Sequence, residues 1–155
     1  MPRSQSLRRS PTTEELAAWR AFIETSERIR GAIGSRLQAD SGLSTGDYSV
    51  LLSLSEAPGN RVRSSELAAA IGWERSRLSH HLGRMEQRGL IRRDNCLTDS
   101  RGAEAVLTPE GAAAFRRASP PHLHAIQELF VSALTAEQLE TVTTISAALA
   151  SHLES

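Results

Sequence analysis

The sequence has no lysine, a single cysteine and no long apolar run. All 18 basic residues are arginine, which reflects either a preference for the forked guanidinium donor or, more simply, a GC-rich coding sequence. The one cysteine, Cys96, excludes an intramolecular disulfide framework and a metal site built from several thiolates of one chain. No apolar stretch approaches the ~20 residues needed to cross a bilayer. The basic segment 1–9 is not followed by the apolar core of a secretory signal. We therefore expect a cytoplasmic protein with no membrane partner.

Charge is distributed unevenly along the chain. The formal net charge is zero, which by itself argues against a nucleic-acid partner. Local positive charge is what a DNA footprint needs, however, and residues 75–93 contain six arginines and one acid, Glu86. Residues 121–155 contain no lysine or arginine and four glutamates. This polarity suits an oriented DNA binder, although a solvated helix face would give the same charge pattern.

Residues 63–108 are the most informative part of the chain. They contain a short helix, SSELAAAIG, for which Ser64 is the predicted cap, then a turn and an arginine-rich helix over 75–88 that Gly89 ends. An apolar strand beginning at Leu90, a polar loop and a return strand ending at Thr108 follow. This order is typical of proteins that insert a helix into the major groove of DNA and a loop into the adjacent minor groove. The sequence predicts a transcription factor, not an enzyme.

Two amphipathic helical segments flank this unit. The first begins at a capping box, Thr12-x-x-Glu15, and the last begins at Thr135-x-x-Gln138. Each carries one apolar stripe that needs a partner helix. The stripe of the first helix is Leu16, Trp19, Phe22 or Ile23, Ser26, Ile29, Ile33 and Leu37; that of the last is Leu139, Val142, Ile145, Leu149 and Leu153.

A further helix begins at Thr108-Pro109, and its second half contains an adjacent pair of prolines, Pro120-Pro121. We expect this pair to kink or interrupt the helix by removing two backbone donors. The predicted organisation is a disordered basic arm at 1–10, a helical dimerisation region formed by 11–40 and 109–155, and a DNA-binding domain at 44–108.

Several motifs in the same order and spacing resemble the MarR family of winged helix-turn-helix regulators, over roughly residues 12–153. They are ELA at 66–68, RMEQRGLI at 84–91, DSRG at 99–102 and AVLTPEG at 105–111. The resemblance implies a mainly α fold with a small β-hairpin wing, and a homodimer whose first, fifth and sixth helices interlock above two DNA-binding lobes. The chain departs from the commonest family pattern at Arg77, His80 and His81.

The predicted DNA-binding residues fall into three groups. The arginine-rich helix presents residues to the bases, where an arginine can bind guanine O6 and N7; these are Arg75, Ser76, Arg77, Ser79 and His80. Phosphate contacts are expected from Arg84, Ser64 and Ser65, and Arg93 on the first wing strand is also a predicted DNA contact. Arg101 at the wing tip is expected in the minor groove, and Asp99 is expected to brace either the wing or Arg101 itself. Two paired copies would bind a pseudo-palindromic operator in double-stranded DNA, and we expect a repressor with no cofactor.

Other functions remain open from the sequence. Trp19 and Tyr48 could line a pocket for a phenolic or antibiotic-like ligand that releases DNA, or could simply be core and interface aromatics. A ligand- or redox-independent regulator or activator, a redox role for Cys96, and a protein-interaction dimer without DNA binding are alternatives. A metal sensor would use His122, His124 and Glu128. An enzyme is the weakest alternative, because no histidine has a carboxylate or thiol at catalytic spacing and there is no glycine-rich phosphate loop.

Overall fold

The computed structural model describes residues 10–95 and 102–155, which form helices around a small sheet. Most described residues are helical, so the expected fold class, mainly α with a β wing, is confirmed. The helices are α1 (Thr13–Ser41), α2 (Thr45–Glu56), α3 (Ser64–Ile71), α4 (Arg75–Gln87), α5 (Pro109–Leu129) and α6 (Ala136–Glu154), and the strands are β1 (Arg61–Arg63), β2 (Ile91–Asn95) and β3 (Ala103–Leu107). Short 3-10 turns, Pro58–Asn60 and Val131–Ala133, precede β1 and α6.

The helix ends follow the capping signals in the sequence. At the start of α1, the Thr12 backbone N–H donates to Glu15 Oε2 at 2.7 Å and the Glu15 N–H donates to Thr12 Oγ1 at 3.2 Å. Thr135 and Gln138 make the same reciprocal pair before α6. After α4, Gly89 adopts a left-handed conformation with φ 77°, which an L side chain would resist. These predictions are confirmed.

Strand β1 was not predicted, and it changes how α3 begins. It pairs antiparallel with β3, so the sheet has three strands in the order β1-β3-β2 instead of forming a two-stranded hairpin. Three residues are too few to show an alternating apolar pattern. Because α3 starts directly after Arg63, Ser64 is its first helical residue and no side chain caps it. The prediction that Ser64 caps this helix was wrong.

The proline pair does not interrupt α5. The helix is continuous from Pro109 to Leu129 with Pro120 and Pro121 inside it, so the predicted interruption is wrong. Proline has a fixed φ that a helix accepts, and its main penalty is the missing N–H. The carbonyls left without that donor belong to Arg116 and Arg117, which are exposed and can be hydrated.

The junction between β3 and α5 explains part of the AVLTPEG motif. The Thr108 hydroxyl donates to the carbonyls of Gly89 at 2.6 Å and Leu90 at 2.9 Å, and accepts the Gly111 N–H at 3.0 Å. A Cβ at Gly111 would overlap the Leu90 carbonyl oxygen. Threonine and glycine at these two positions therefore join the end of α4 closely to the start of α5.

The core lies between α2, α3, α4 and the sheet. Its largest fully buried side chains are Val50, Leu51, Leu54, Leu67, Leu78, Leu82, Met85 and Ile91. Outside this core, α5 packs along α1, whereas residues 140–155 of α6 are all exposed. Trp19 and Phe22 near the start of α1 are also about half exposed, at 59% and 49%. The stripe of α6 and the first turns of the α1 stripe are thus largely uncovered in the single chain, whereas the α1 stripe is buried at Leu37.

Within residues 10–95 and 102–155, none of the helices combines the length and the apolar character that crossing a membrane requires.

Candidate nucleic-acid interface

Helix α4 buries one face and presents the other to solvent. Leu78, Leu82 and Met85 are at most 1% exposed. Because successive helical residues rotate by about 100°, Ser76 and His80 lie on the opposite face, and both are exposed. Polar and charged residues line the two edges of the helix between these faces. Arg75 and Ser79 lie along one edge, and Arg77, Arg84 and Arg88 lie along the other.

The first edge borders a cleft of about 430 Å³, which we call the α3–α4 cleft. It is formed by the start of α3, by α4, and by β2 with the beginning of β3. Five predicted DNA-binding residues line it together with one that was not predicted, Arg63; the five are Ser64, Ser65, Arg75, Ser79 and Arg93. Hydroxyls and guanidinium groups converging on one cleft are the donors that bind phosphate oxygens.

Arg93 connects the wing strand β2 to α4. Its backbone N–H donates to Glu86 Oε2 at 2.8 Å, and its Nε donates to Glu86 Oε1 at 3.3 Å. Its Nη1 also donates to the Ser79 carbonyl at 3.4 Å. A guanidinium with these partners fixes the wing strand against the helix, in addition to the DNA contact predicted for it.

On the other edge of α4, four side chains form what we call the α2–α4 polar cluster: Asp47, His81, Arg84 and Arg88. Arg88 Nη1 donates to Asp47 Oδ2 at 2.8 Å, and the Ser44 N–H donates to the same oxygen at 3.0 Å. His81 Nε2 lies 2.9 Å from Asp47 Oδ1, and Arg84 Nη2 lies 3.1 Å from His81 Nδ1. The cluster joins the start of α2 to the middle and end of α4.

Asp47 is ionised within this cluster. Burial alone would raise the pKa of its carboxyl group, but the combined effect of His81, the Ser44 N–H and Arg88 outweighs burial and holds that pKa well below its usual range. Its side chain is 3% exposed, whereas that of Arg88 is 42% exposed. The negative charge is therefore buried and its main cationic partner reaches solvent.

Arg77 lies against an aromatic ring. Its guanidinium carbon is 3.9 Å from the centre of the Trp73 ring, a cation–π contact. Trp73 packs in turn against α2, where a Cβ at Gly46 would come within 2.7 Å of the indole. Of the five residues predicted to face the bases, Arg77 is therefore the one that the structure places in contact with the α2 side of the helix.

Tyr48 lines a separate cavity of about 350 Å³, bounded by α1, α2, α5 and the segment carrying Trp73. Its hydroxyl lies 3.1 Å from Ser119 Oγ, and its ring centre is 4.2 Å from that of His122. Burial lowers the pKa of His122, which favours a neutral ring. Trp19 is not among the lining residues, so the structure brings only one of the two predicted ligand residues to this cavity.

The three residues that a metal sensor would use, His122, His124 and Glu128, do not share a common site. His122 packs on Tyr48, while Glu128 pairs with Arg36 at 2.9 Å and lies 3.8 Å from His124. Across the part of the chain that the structure describes, no three His, Cys, Asp or Glu side chains group as metal ligands would. Cys96, Asp99 and Arg101 lie outside the described residues.

Comparison with known proteins identifies the family. The sequence model of the MarR family matches residues 41–102. The chain is also similar to the crystal structure of AbsC, a MarR family transcriptional regulator from Streptomyces coelicolor, at 37% identity over 95% of this chain and 99% of that chain, with a TM-score of 0.87. This chain belongs to the MarR family.

Other solved structures agree. The MarR-family chain is 37% identical to Sco3205 from Streptomyces coelicolor, solved in complex with DNA, over 94% of this chain and 92% of that chain, with a TM-score of 0.89. It shares the fold of a mutant MarR from E. coli complexed with operator DNA, at 21% identity over 90% and 99% of the two chains, with a TM-score of 0.77. No curated protein sequence matches the chain.

Four residues at the interface of this MarR-family chain were not predicted as site residues: Arg63, Asp47, His81 and Arg88. Two of them had a signal in the sequence. Asp47 completes a capping box with Ser44, and His81 follows the buried residue Leu78 by three positions, which places it at the edge of the apolar face. Arg63 and Arg88 could be assigned only from contacts between elements far apart in sequence.

Proposed function

We propose that this chain is a transcriptional regulator that binds a pseudo-palindromic double-stranded DNA site as a homodimer and acts as a repressor. Residues 44–108 would form the DNA-binding lobe, and residues 11–40 with 109–155 the dimerisation region. The proposal rests above all on the α3–α4 cleft, where serine and arginine residues from four elements, β1, α3, α4 and β2, converge beside the exposed face of α4. AbsC and Sco3205 are MarR family transcriptional regulators, and Sco3205 was solved in complex with DNA.

In this proposal each lobe places α4 in a major groove. Ser76 and His80 face the base edges, with Arg75 and Ser79 beside them. Ser64 and Ser65 bind the phosphates that flank this groove, and Arg101 enters the minor groove. A two-fold dimer would require half-sites spaced about one helical turn, ~10 bp, apart.

Dimerisation is supported by the uncovered apolar stripes of α1 and α6. Ile145 and Leu149 of α6 are 48% and 46% exposed, and Leu16 of α1 is 44% exposed. A helix with such a stripe favours a packing partner, because most of the stability of a helix in a protein comes from packing its apolar face. A second copy presents the same stripes and can cover them by two-fold symmetry.

The decisive experiment measures DNA binding by Arg75→Ala and Arg116→Ala, using fluorescence anisotropy and the promoter DNA next to the protein's own gene. Loss of a bidentate guanine contact is worth about 1–3 kcal/mol, so Arg75→Ala should weaken binding roughly 5- to 150-fold per subunit. Arg116 is exposed on α5 and does not line the cleft, and its loss removes the same charge. Its variant should bind as the wild type does. Full affinity in Arg75→Ala, or equal losses in both variants, would contradict the assignment of α4.

A small phenolic ligand is proposed for the cavity that Tyr48 lines. A volume of about 350 Å³ is near the lower end of small-molecule sites, and Arg30, Arg77 and His122 give its wall polar groups beside the aromatic rings. A ligand wedged between α1, α5 and the DNA-binding lobe would alter the spacing of the two lobes. Substituted phenols and hydroxybenzoates should raise the melting temperature and lower DNA affinity. If the panel changes neither, this part of the proposal fails.

A further inference from the structure

His81 is a buried histidine whose two ring nitrogens contact different elements. It is 8% exposed, and its ring packs edge-on against Trp73 with ring centres 5.1 Å apart. Nε2 lies 2.9 Å from Asp47 Oδ1 on α2, at ion-pair distance, and neither atom makes a hydrogen bond within the described chain. Nδ1 lies 3.1 Å from Nη2 of Arg84, one turn later on α4.

These contacts define which ring nitrogen carries the proton. A guanidinium can only donate hydrogen bonds, so Nδ1 must be the acceptor in its contact with Arg84. The proton then lies on Nε2, where the carboxylate of Asp47 faces it. The imidazole therefore lies with Nε2 against the buried Asp47 carboxylate, and its Nδ1 accepts a hydrogen bond from one Nη of Arg84. The remaining N–H groups of Arg84 stay available.

We infer that His81 is a positioning residue for DNA binding: it holds the Arg84 guanidinium in place for a DNA phosphate. This inference rests on the proposed DNA-binding function. A free arginine must lose side-chain freedom when it binds a phosphate, whereas an arginine already held loses less. His81 itself, buried beneath the helix, does not contact DNA.

The arrangement requires His81 to be unprotonated at Nδ1. A second proton would direct an N–H of the ring at an N–H of Arg84 and turn the guanidinium away. A cavity beside the α2–α4 polar cluster is lined by one acid among the described residues, Asp47, and by the guanidinium groups of Arg77, Arg84 and Arg88. Because the Asp47 carboxylate lies next to Nε2, Nδ1 is left as the acceptor for Arg84.

Two substitutions separate the two contacts of the ring. In His81→Asn the amide oxygen lies close to the position of Nδ1, so it can accept from Arg84 but cannot reach Asp47. In His81→Gln the amide lies close to the position of Nε2, so it can reach Asp47 but leaves Arg84 without its acceptor. If His81 acts by positioning Arg84, Asn should preserve DNA binding and Gln should not. A role confined to holding α2 against α4 gives the reverse order.

The measurement is operator affinity as a function of salt for the wild type, both His81 variants, Arg84→Ala and the double variant His81→Gln/Arg84→Ala. Circular dichroism melting first establishes that each variant is folded at the assay temperature. Arg84→Ala should lower the slope of log K against log salt by about one for each arginine removed from a phosphate. His81→Gln should weaken binding about three- to tenfold per subunit, and Arg84→Ala should add little in that background. His81→Asn should match the wild type.

Losses that simply add in the double variant, wild-type binding by His81→Gln, or equal weakening by Asn and Gln would each overturn the inference. Wild-type binding by Arg84→Ala would remove its basis and still leave the Arg75 test of the proposed function intact.

Discussion

Replacing Asp47 with asparagine retains the shape of a buried side chain and removes its charge. The carboxylate accepts hydrogen bonds from the Ser44 N–H at 3.0 Å and from Arg88 at 2.8 Å, and it faces His81 at 2.9 Å. A hydrogen bond involving a charged group contributes about 1.5–3 kcal/mol. The Arg88 contribution is reduced because its side chain is 42% exposed. We therefore expect Asp47→Asn to lower the free energy of unfolding by about 2–3 kcal/mol per subunit at neutral pH.

Asp47→Ala should cost more than Asp47→Asn. It also removes the side-chain acceptor of the Ser44 N–H in the capping box of α2, and the loss of one hydrogen bond costs about 1 kcal/mol. The expected total is roughly 3–4 kcal/mol. Urea unfolding followed by far-UV circular dichroism measures both variants, at one fixed protein concentration because dimerisation would contribute to stability.

The pH dependence tests the electrostatic part of this reasoning. The folded-state pKa of Asp47 lies below its unfolded value. The stabilisation from its charge is therefore fully present above the unfolded value, about 3.9, and is lost as the pH falls below it. The stability difference between wild type and Asp47→Asn should narrow as the pH falls below about 4. Equal urea midpoints at pH 7, or a difference that does not narrow below about pH 4, would refute the reasoning.

Two further substitutions test packing and assembly. Leu149→Glu should raise the dimer dissociation constant by roughly 10²–10⁴-fold in analytical ultracentrifugation, because burial of a leucine side chain, worth about 1.5–3 kcal/mol, is lost twice in a symmetric interface. Thr144→Glu, on the opposite face of α6, should leave the constant unchanged, and equal effects would exclude the apolar stripe as the interface. Gly46→Ala should destabilise the protein by about 1–3 kcal/mol, since its Cβ would come within 2.7 Å of Trp73. Gly31 lies in mid-helix with nothing within 4 Å of a Cβ built on it, so Gly31→Ala should raise the free energy of unfolding by about 0.5–1 kcal/mol. Stability changes of the same sign in the two glycine variants would contradict the packing described.

The fold was predictable where its signals are local. The capping pairs Thr12–Glu15 and Thr135–Gln138 and the left-handed Gly89 each involve residues within one or two turns, and the structure has all three as expected. Strand β1 was missed because a three-residue strand is defined by its pairing with β3, more than 40 positions away. The continuity of α5 could not be predicted because Pro120 and Pro121 disfavour a helix locally, whereas α5 also packs along α1, which the sequence does not reveal.

The candidate site divides in the same way. Arginine clustering in α4 predicted which helix carries the charge, and helical periodicity separated its buried and exposed faces. The sequence could not show that the two edges of α4 have different neighbours. Ser64 and Ser65 were grouped with Arg84 as phosphate contacts, yet the serines line the α3–α4 cleft and Arg84 lies in the α2–α4 polar cluster. Such a division depends on tertiary contacts, which no pattern within α4 records.

The two prolines in α5 give the chain a local point of compliance. At that turn the carbonyls of Arg116 and Arg117 have no helical N–H donor at positions 120 and 121, so bending there strains fewer hydrogen bonds than bending elsewhere along α5. The turn lies between the sheet and the C-terminal helix. In the proposed dimer, small changes of angle at this turn would move one DNA-binding lobe relative to the other, so that the same dimer could bind sites whose half-site spacing differs slightly.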